Sequence, residues 1–224
     1  MKRFSIFLLA CLTLLLAIPA QKSAAQESAD QILKGMLDRL DEIRSFEAQA
    51  LVKIDVEFIN IKDRKVKIRY DHPDKFTYDA EGLALLPKSG MQMEYMGMIR
   101  DQYTAIDIGE ELIGNRNCRI IKVIPESMEA EIILAQFWID AEKKRILKMK
   151  TFTRKSGSYL IDFQYKDPDS PLADRMEVSF EINNLIFPTK AMSDLMTEGI
   201  QKADSVPKQA KVIVEYSSLK VEKR

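Results

Sequence analysis

The strongest constraint on this chain is a change of hydrophobic period near residue 45. Between residues 28 and 44 the apolar side chains Ile32, Leu33, Met36, Leu37, Leu40 and Ile43 recur at helical spacing, with Lys34, Asp38, Arg39, Asp41 and Glu42 on the other side. Ser28 followed by Gln31 has the form of a capping box, which marks the helix start. From Phe46 the period becomes two. Phe46, Ala48, Ala50, Val52, Ile54, Val56 and Phe58 alternate with polar residues such as Glu47, Gln49, Lys53, Asp55 and Glu57, which places the two sets on opposite faces of a strand. A helix with one apolar stripe and a strand with one apolar face must bury those surfaces against each other, so the pattern predicts a helix laid on a sheet.

The alternation continues. Lys62-Asp63-Arg64 is a hairpin connection, after which Val66, Ile68 and Tyr70 oppose Lys65, Lys67, Arg69 and Asp71. His72-Pro73-Asp74 makes a turn, and Phe76, Tyr78 and Ala80 begin a third strand. Residues 83–117 read as less regular. Strand patterns return at 118–124, 131–139, 145–153, 159–165, 175–182 and 211–216, with a short helical piece around Met192, Leu195, Met196 and Ile200. Ile132-Ile133-Leu134 and Phe137-Trp138-Ile139 are apolar on both faces, so the middle of the sheet should be covered on both sides. No repeat or long linker divides the chain. The expected architecture is mainly β with α: one strongly curved antiparallel sheet forming an incomplete barrel, with the N-terminal helix in its concave face. Where the helix does not fill that face, an apolar cavity remains.

Residues 1–25 read as a cleaved export signal. Lys2 and Arg3 precede an apolar run from Phe4 that is interrupted at Pro19 and gives way to the small and polar residues before Gln26. The run is shorter than the about 20 apolar residues of a membrane span. Leu8-Leu9-Ala10-Cys11 offers an alternative, a lipidated Cys11, but few apolar residues precede it and residues 12–20 would be left as an apolar mature N-terminus. The mature domain is thus residues 26–224, exported across the inner membrane. Removal of the signal takes Lys2, Arg3 and Lys22 from a chain with 34 basic and 34 acidic residues, leaving it slightly acidic. That balance excludes the basic surface of a nucleic-acid binder. Cys118 remains as the single thiol, a buried hydrophobe or an intermolecular partner, with burial preferred because Ile120, Ile121, Val123 and Ile124 follow it.

Nothing converges on catalysis. The single histidine, His72, lies at a turn beside Pro73, and no glycine-rich phosphate loop is present. Glu126, Glu129 and Glu131 form an acidic loop that reads as solvated rather than as a calcium site. No metal and no cofactor are expected. The unusual segment is 83–99, where Leu83, Leu85 and Leu86 precede Met91, Met93, Met96 and Met98. Methionine fills irregular core gaps, and it also suits apolar surfaces that adapt to varied ligands; both readings stand. Phe46, Phe58, Tyr70, Phe76 and Tyr78 carry the same ambiguity between core and ligand wall.

Taken together, the exported N-terminus, the helix leading into a long alternating strand, Tyr70-Asp71-His72-Pro73-Asp74-Lys75-Phe76, Asn117-Cys118-Arg119-Ile120, Phe137-Trp138-Ile139-Asp140 before Ile146-Leu147-Lys148-Met149, and Phe187-Pro188-Thr189 resemble the LolA-like lipoprotein-carrier superfamily. The chain departs from that pattern in its middle, where the Met-rich segment stands in place of an Asp-Gly-aromatic and Tyr-x-Pro stretch. The resemblance implies an incomplete barrel with an apolar cavity for acyl chains, no catalysis and no metal. It points to a monomeric periplasmic carrier of lipoprotein acyl chains or another lipid, working with membrane-bound donor and acceptor proteins. On that reading Val52, Ile54, Val56, Ile68, Tyr70, Phe76 and Tyr78 line the cavity, while Ile32, Met36 and Leu40 with Met91, Met93, Met96 and Met98 form the lid. The alternative is an envelope-stress regulator of the same fold that senses lipid and acts through protein contacts.

Overall fold

The structure, a computed structural model, describes residues 27–56, 59–60, 62–73, 75–79, 99–155, 157–181 and 209–224. Helix α1 (Ala29–Asp41) starts where the capping box requires: the Gln31 amide donates to the Ser28 hydroxyl at 3.2 Å, and the Ser28 amide donates to Gln31 Oε1 at 2.8 Å. Asp30 in the first turn and Arg39 in the last complement the helix dipole. The helix ends before Ile43, which opens strand β1 (Ile43–Val56) instead of closing the helical stripe. Ile43 fits the helical stripe and is out of step with the alternation that starts at Phe46, yet tertiary pairing makes it a strand residue. It faces Lys223 of the last strand, the Arg224 amide donates to the Glu42 carbonyl at 2.8 Å, and a register shift between Ile43 and Ser45 lets Ile43 and Phe46 both point inward.

After β1 come β2 (Ile59–Asn60), β3 (Arg64–Asp71), β4 (Lys75–Asp79), β5 (Tyr103–Ile113), β6 (Arg116–Pro125), β7 (Ile132–Asp140), β8 (Arg145–Thr153), β9 (Ser158–Gln164), β10 (Arg175–Glu181) and β11 (Gln209–Lys223). They form one antiparallel sheet in the order β4-β3-β1-β11-β10-β9-β8-β7-β6-β5, with β2 paired to β1. From β5 to β11 each strand lies beside its sequence neighbour, and β1 joins the set by pairing with β11. β4 and β5 are the two ends of this path, so among the described residues the sheet is an open, incomplete barrel.

Two strands differ from the sequence pattern. β5 falls where an irregular region was expected: Asp107 alternates with exposed Ile106 and Ile108, and Gly109 at φ +125° carries a bulge, so apolar and polar positions are inverted. β11 runs on to Lys223, well beyond residue 216, because an extra residue between the Gln49–Ser218 and Ala50–Tyr216 pairs keeps Leu219 packed against the core. The helical piece expected near Met192 lies outside the described residues.

The inner face carries the main core. Ile32, Leu33, Met36 and Leu40 of α1 pack with residues from β1, β3 and β6 to β11, among them Val52, Tyr70, Phe137, Met149, Ile161 and Met176. The outer face of the middle strands holds a second, smaller cluster of Cys118, Trp138 and Leu147, which is the two-sided covering expected at Phe137-Trp138-Ile139; at Ile132-Ile133-Leu134 that expectation fails, because Ile133 is exposed on the outer side. Burial, with Asp140 and Glu111 nearby, pushes the Cys118 thiol up to about 11.

Beside this cluster, Asp140 and Arg145 are nearly fully buried. Asp140 accepts from Arg116 Nη1 at 2.9 Å and from the amides of Glu142 and Lys143, which shapes the β7–β8 turn. Arg145 donates to the carbonyls of Asp167 and Pro168, lies over the Tyr165 ring at 4.2 Å and sits 3.8 Å from Asp140. The pair ties three connections together.

Three outcomes follow. Met149→Ala, at a fully buried position, should lower the unfolding free energy in urea by about 2–5 kcal/mol, whereas Leu112→Ala at the exposed edge changes it by under about 0.5 kcal/mol. Asp140→Ala leaves Arg145 buried without its counter-charge and should cost about 3–5 kcal/mol in the same assay, with Asp140→Asn retaining part of the turn. Cys118 should resist alkylation at pH 8 in the folded protein and react once urea unfolds it, because the raised thiol titration leaves little nucleophilic thiolate.

Candidate functional site

The inner face is mainly apolar, with Asp107, Arg119, Thr151 and Thr153 as polar exceptions toward β5 and β8, and its exposure varies along the strands. β1 leaves α1 directly, so its first inward residues adjoin the C-terminal end of the helix. Near the helix, Phe46 stacks on Tyr70 with ring centroids 5.4 Å apart, and the Tyr70 hydroxyl donates to the Pro73 carbonyl at 2.9 Å. Farther along, Val52 faces Val214, then Ile54 faces Val212, and Val56 faces Ala210, which in turn faces Phe180 and, through it, Tyr159. Ile54 and Phe180 are only half-buried. Tyr159 and Phe180 meet with ring centroids 5.5 Å apart. The far row of Ile54, Val56, Phe180 and Tyr159 thus sets two half-buried apolar side chains, Ile54 and Phe180, beside buried Val56 and Tyr159.

Of the residues expected to line a cavity, Val52, Val56, Ile68 and Tyr70 are buried and Ile54 is half-buried, all on the inner face of β1 and β3. Phe76 and Tyr78 of β4 stand opposite Tyr70 and Ile68 in the strand register; their side chains lie outside the described part of the structure. Of the residues expected in a lid, Ile32, Met36 and Leu40 belong to the same buried cluster as the wall, whereas Met91, Met93, Met96 and Met98 lie outside the described residues. Tyr159 and Phe180 were not singled out from the sequence. Both fall on the apolar side of their alternating strands, but only the β9–β10 register makes them neighbours.

Polar contacts hold α1 around its rim. Asp41 at its C-terminal end pairs with Arg100, which precedes β5, and sits 3.8 Å from His72 between β3 and β4. One carboxylate thereby touches segments beside both terminal strands of the sheet. Arg39 donates to the Asp169 carbonyl at 2.7 Å, and Lys144 reaches Glu27 at 3.7 Å. Gly35 lets the Lys144 side chain lie across the helix, since a Cβ there would come within 2.9 Å of it. On β5, burial and the Asp30 carboxylate push the Tyr103 phenol up, another mark of that strand's approach to the helix. These contacts are partly exposed, and such ion pairs contribute at most about 1 kcal/mol each. The apolar stripe does most of the holding.

The described residues contain no group of His, Cys, Asp and Glu arranged to hold a metal ion, and no described helix is long and apolar enough to cross a membrane. What the inner face offers is contact with apolar groups.

No family model and no curated protein matches the sequence. Solved structures do resemble it. A DUF1329 family protein from Desulfovibrio piger superposes with a TM-score of 0.54 at 13% identity, over 87% of this chain and 92% of that one. A LolA superfamily protein from Nitrosomonas europaea gives 0.50 at 11% identity, over 88% and 94%. Identities this low speak to fold alone. The open antiparallel sheet wrapped around one N-terminal helix is a LolA-like fold.

Proposed function

We propose that this protein is a periplasmic carrier that shelters the acyl chains of lipoproteins, or of another lipid, against the inner face of its open barrel for transfer to the outer membrane. The observation that carries this reading is the far apolar row of Ile54, Val56, Phe180 and Tyr159, in which Ile54 and Phe180 remain half-buried beside buried Val56 and Tyr159. The export-signal pattern of residues 1–25 and the LolA-like fold support it. The reading assigns binding and release, with no reaction.

An acyl chain moved out of water gains about 0.8 kcal/mol per buried CH₂. A dry apolar face can supply that gain, and exposed charges cannot. Val52, Ile54, Val56, Ile68, Tyr70, Phe76 and Tyr78 form the wall in this proposal. Because Val52, Ile68 and Tyr70 are already packed against α1 or its neighbours, a chain enters at the far row and extends inward only as the helix stripe of Ile32, Met36 and Leu40 yields. The Met-rich residues Met91, Met93, Met96 and Met98 belong to the connection between β4 and β5, the two ends of the open sheet, and their adaptable side chains suit a cover over varied chains. Membrane-bound donor and acceptor proteins complete the cycle.

The test is native mass spectrometry of the mature protein purified without detergent and then incubated with fatty acid or a diacylated peptide. Bound lipid is expected. A single ligand-free mass after incubation would sink the proposal. Ile54→Asn together with Phe180→Ser should weaken binding of a fluorescent fatty acid at least about tenfold, from the loss of apolar contact, while Leu112→Ser on the outer edge leaves it unchanged.

A further inference from the structure

The outer face of the barrel beside β4 concentrates positive charge in a chain whose 34 basic and 34 acidic residues balance. β3 presents Lys65, Lys67 and Arg69 outward at alternate positions, all exposed, with Val66, Ile68 and Tyr70 buried between them. Lys75 of β4 and Lys220 of β11 are exposed on either side. With Lys67, Arg69, Glu47 and Asp71 they border a groove of about 580 Å³. A second groove of about 510 Å³ adjoins it, bordered by Lys65 and Lys67.

The acids present cancel only part of this charge: Glu47 is engaged by Arg69 and also faces Lys220, Asp71 stands opposite Lys75 and Asp79 opposite Lys67 in the register, which leaves five basic residues against three acids. The β1 residues opposite Lys65 and Lys67 are Leu51 and Gln49, which carry no charge. None of the large exposed apolar side chains of the described residues belongs to β1, β3 or β4, so whatever meets this face meets it through charge. A flat array of flexible ammonium groups over shallow grooves fits a surface of many phosphates better than a shaped pocket for one molecule. The location matters as well: β4 is a terminal strand of the open sheet, so the basic face borders the open side.

We infer that the outer face of β3 and β4, with Lys220 of β11, docks the protein on an anionic phospholipid bilayer. The attraction acts within the roughly 8 Å Debye length of physiological salt, which makes the contact peripheral and reversible. Each basic residue close to such a surface strengthens association about fivefold. Docking in this orientation sets the open side of the barrel at the headgroups. The inference concerns a different face from the apolar row and stands or falls separately from the acyl-chain reading.

The experiment is sedimentation of the mature protein with vesicles of phosphatidylcholine, with and without phosphatidylglycerol. Binding is expected only with phosphatidylglycerol, with release on raising the salt. Lys65→Gln/Lys67→Gln should weaken it about 25-fold, and Lys75→Gln/Lys220→Gln, on other strands, should weaken it similarly, so that one misfolded variant does not decide the matter. Lys155→Gln/Lys166→Gln, in turns away from this face, should bind as the native protein does. Absence of binding to phosphatidylglycerol vesicles, equal binding to phosphatidylcholine alone, or native-like binding by both basic-face variants would each overturn the inference. Native mass spectrometry of the same variants reads lipid retention independently, so loss of docking with retained lipid rejects only this inference.

Discussion

Everything in this molecule rests on the burial of one helical stripe. An antiparallel sheet whose terminal strands do not meet leaves an apolar inner face, and α1 covers it with Ile32, Leu33, Met36 and Leu40. Leu33 and Met36 are fully buried, and burying a side chain of that size is worth about 1.5–3 kcal/mol. The polar contacts around the rim, from Asp41, Arg39 and Lys144, are partly exposed and set the orientation of the helix more than its affinity for the sheet. A cover held mainly by apolar contact is the kind that the proposed acyl chain would displace.

The sheet is not uniform, and its differences separate scaffold from site. Strands β6 to β8 are packed on both faces, with Phe137, Ile139 and Met149 inside and Cys118, Trp138 and Leu147 outside, and the Asp140–Arg145 pair locks the adjoining turn. Interiors packed in this way have few low-energy rearrangements. At the far ends of β1, β9 and β10 the packing thins to the half-buried Ile54 and Phe180 with Tyr159 beside them. A firm middle beside a less closely packed apolar margin is what the proposed exchange of partners on the inner face requires.

Much of this was legible in the linear pattern, and the failures are instructive. The start of α1 was readable because a capping box is a local signal, satisfied by Ser28 and Gln31 alone. Its end was not, because Ile43 fits the helix stripe and is out of step with the alternation from Phe46, and only pairing with β11 makes it a strand residue. β5 escaped notice because its exposed isoleucines and inward Asp107 invert the usual rule. Arg119 pairs with that carboxylate, a contact between separate strands that alternation cannot reveal. Of the expected wall, Val52, Val56, Ile68 and Tyr70 lie buried on the inner face as the period required, but Tyr159 and Phe180 become neighbours of Val56 only through the order of β1, β11, β10 and β9.

The sequence by itself determined which side of each alternating strand is apolar and that one amphipathic helix must lie against the sheet, because a period of two and a period of 3.6 are properties of the backbone and need no partner. It also determined the basic alternation of Lys65, Lys67 and Arg69. Only the tertiary structure decided which apolar residues are core and which are surface, since that depends on strand order and on where α1 stops. It alone brought Lys75 and Lys220 beside the β3 lysines and set uncharged Leu51 and Gln49 opposite Lys65 and Lys67. Burial and charge excess are sums over neighbours, and neighbours are chosen by long-range pairing.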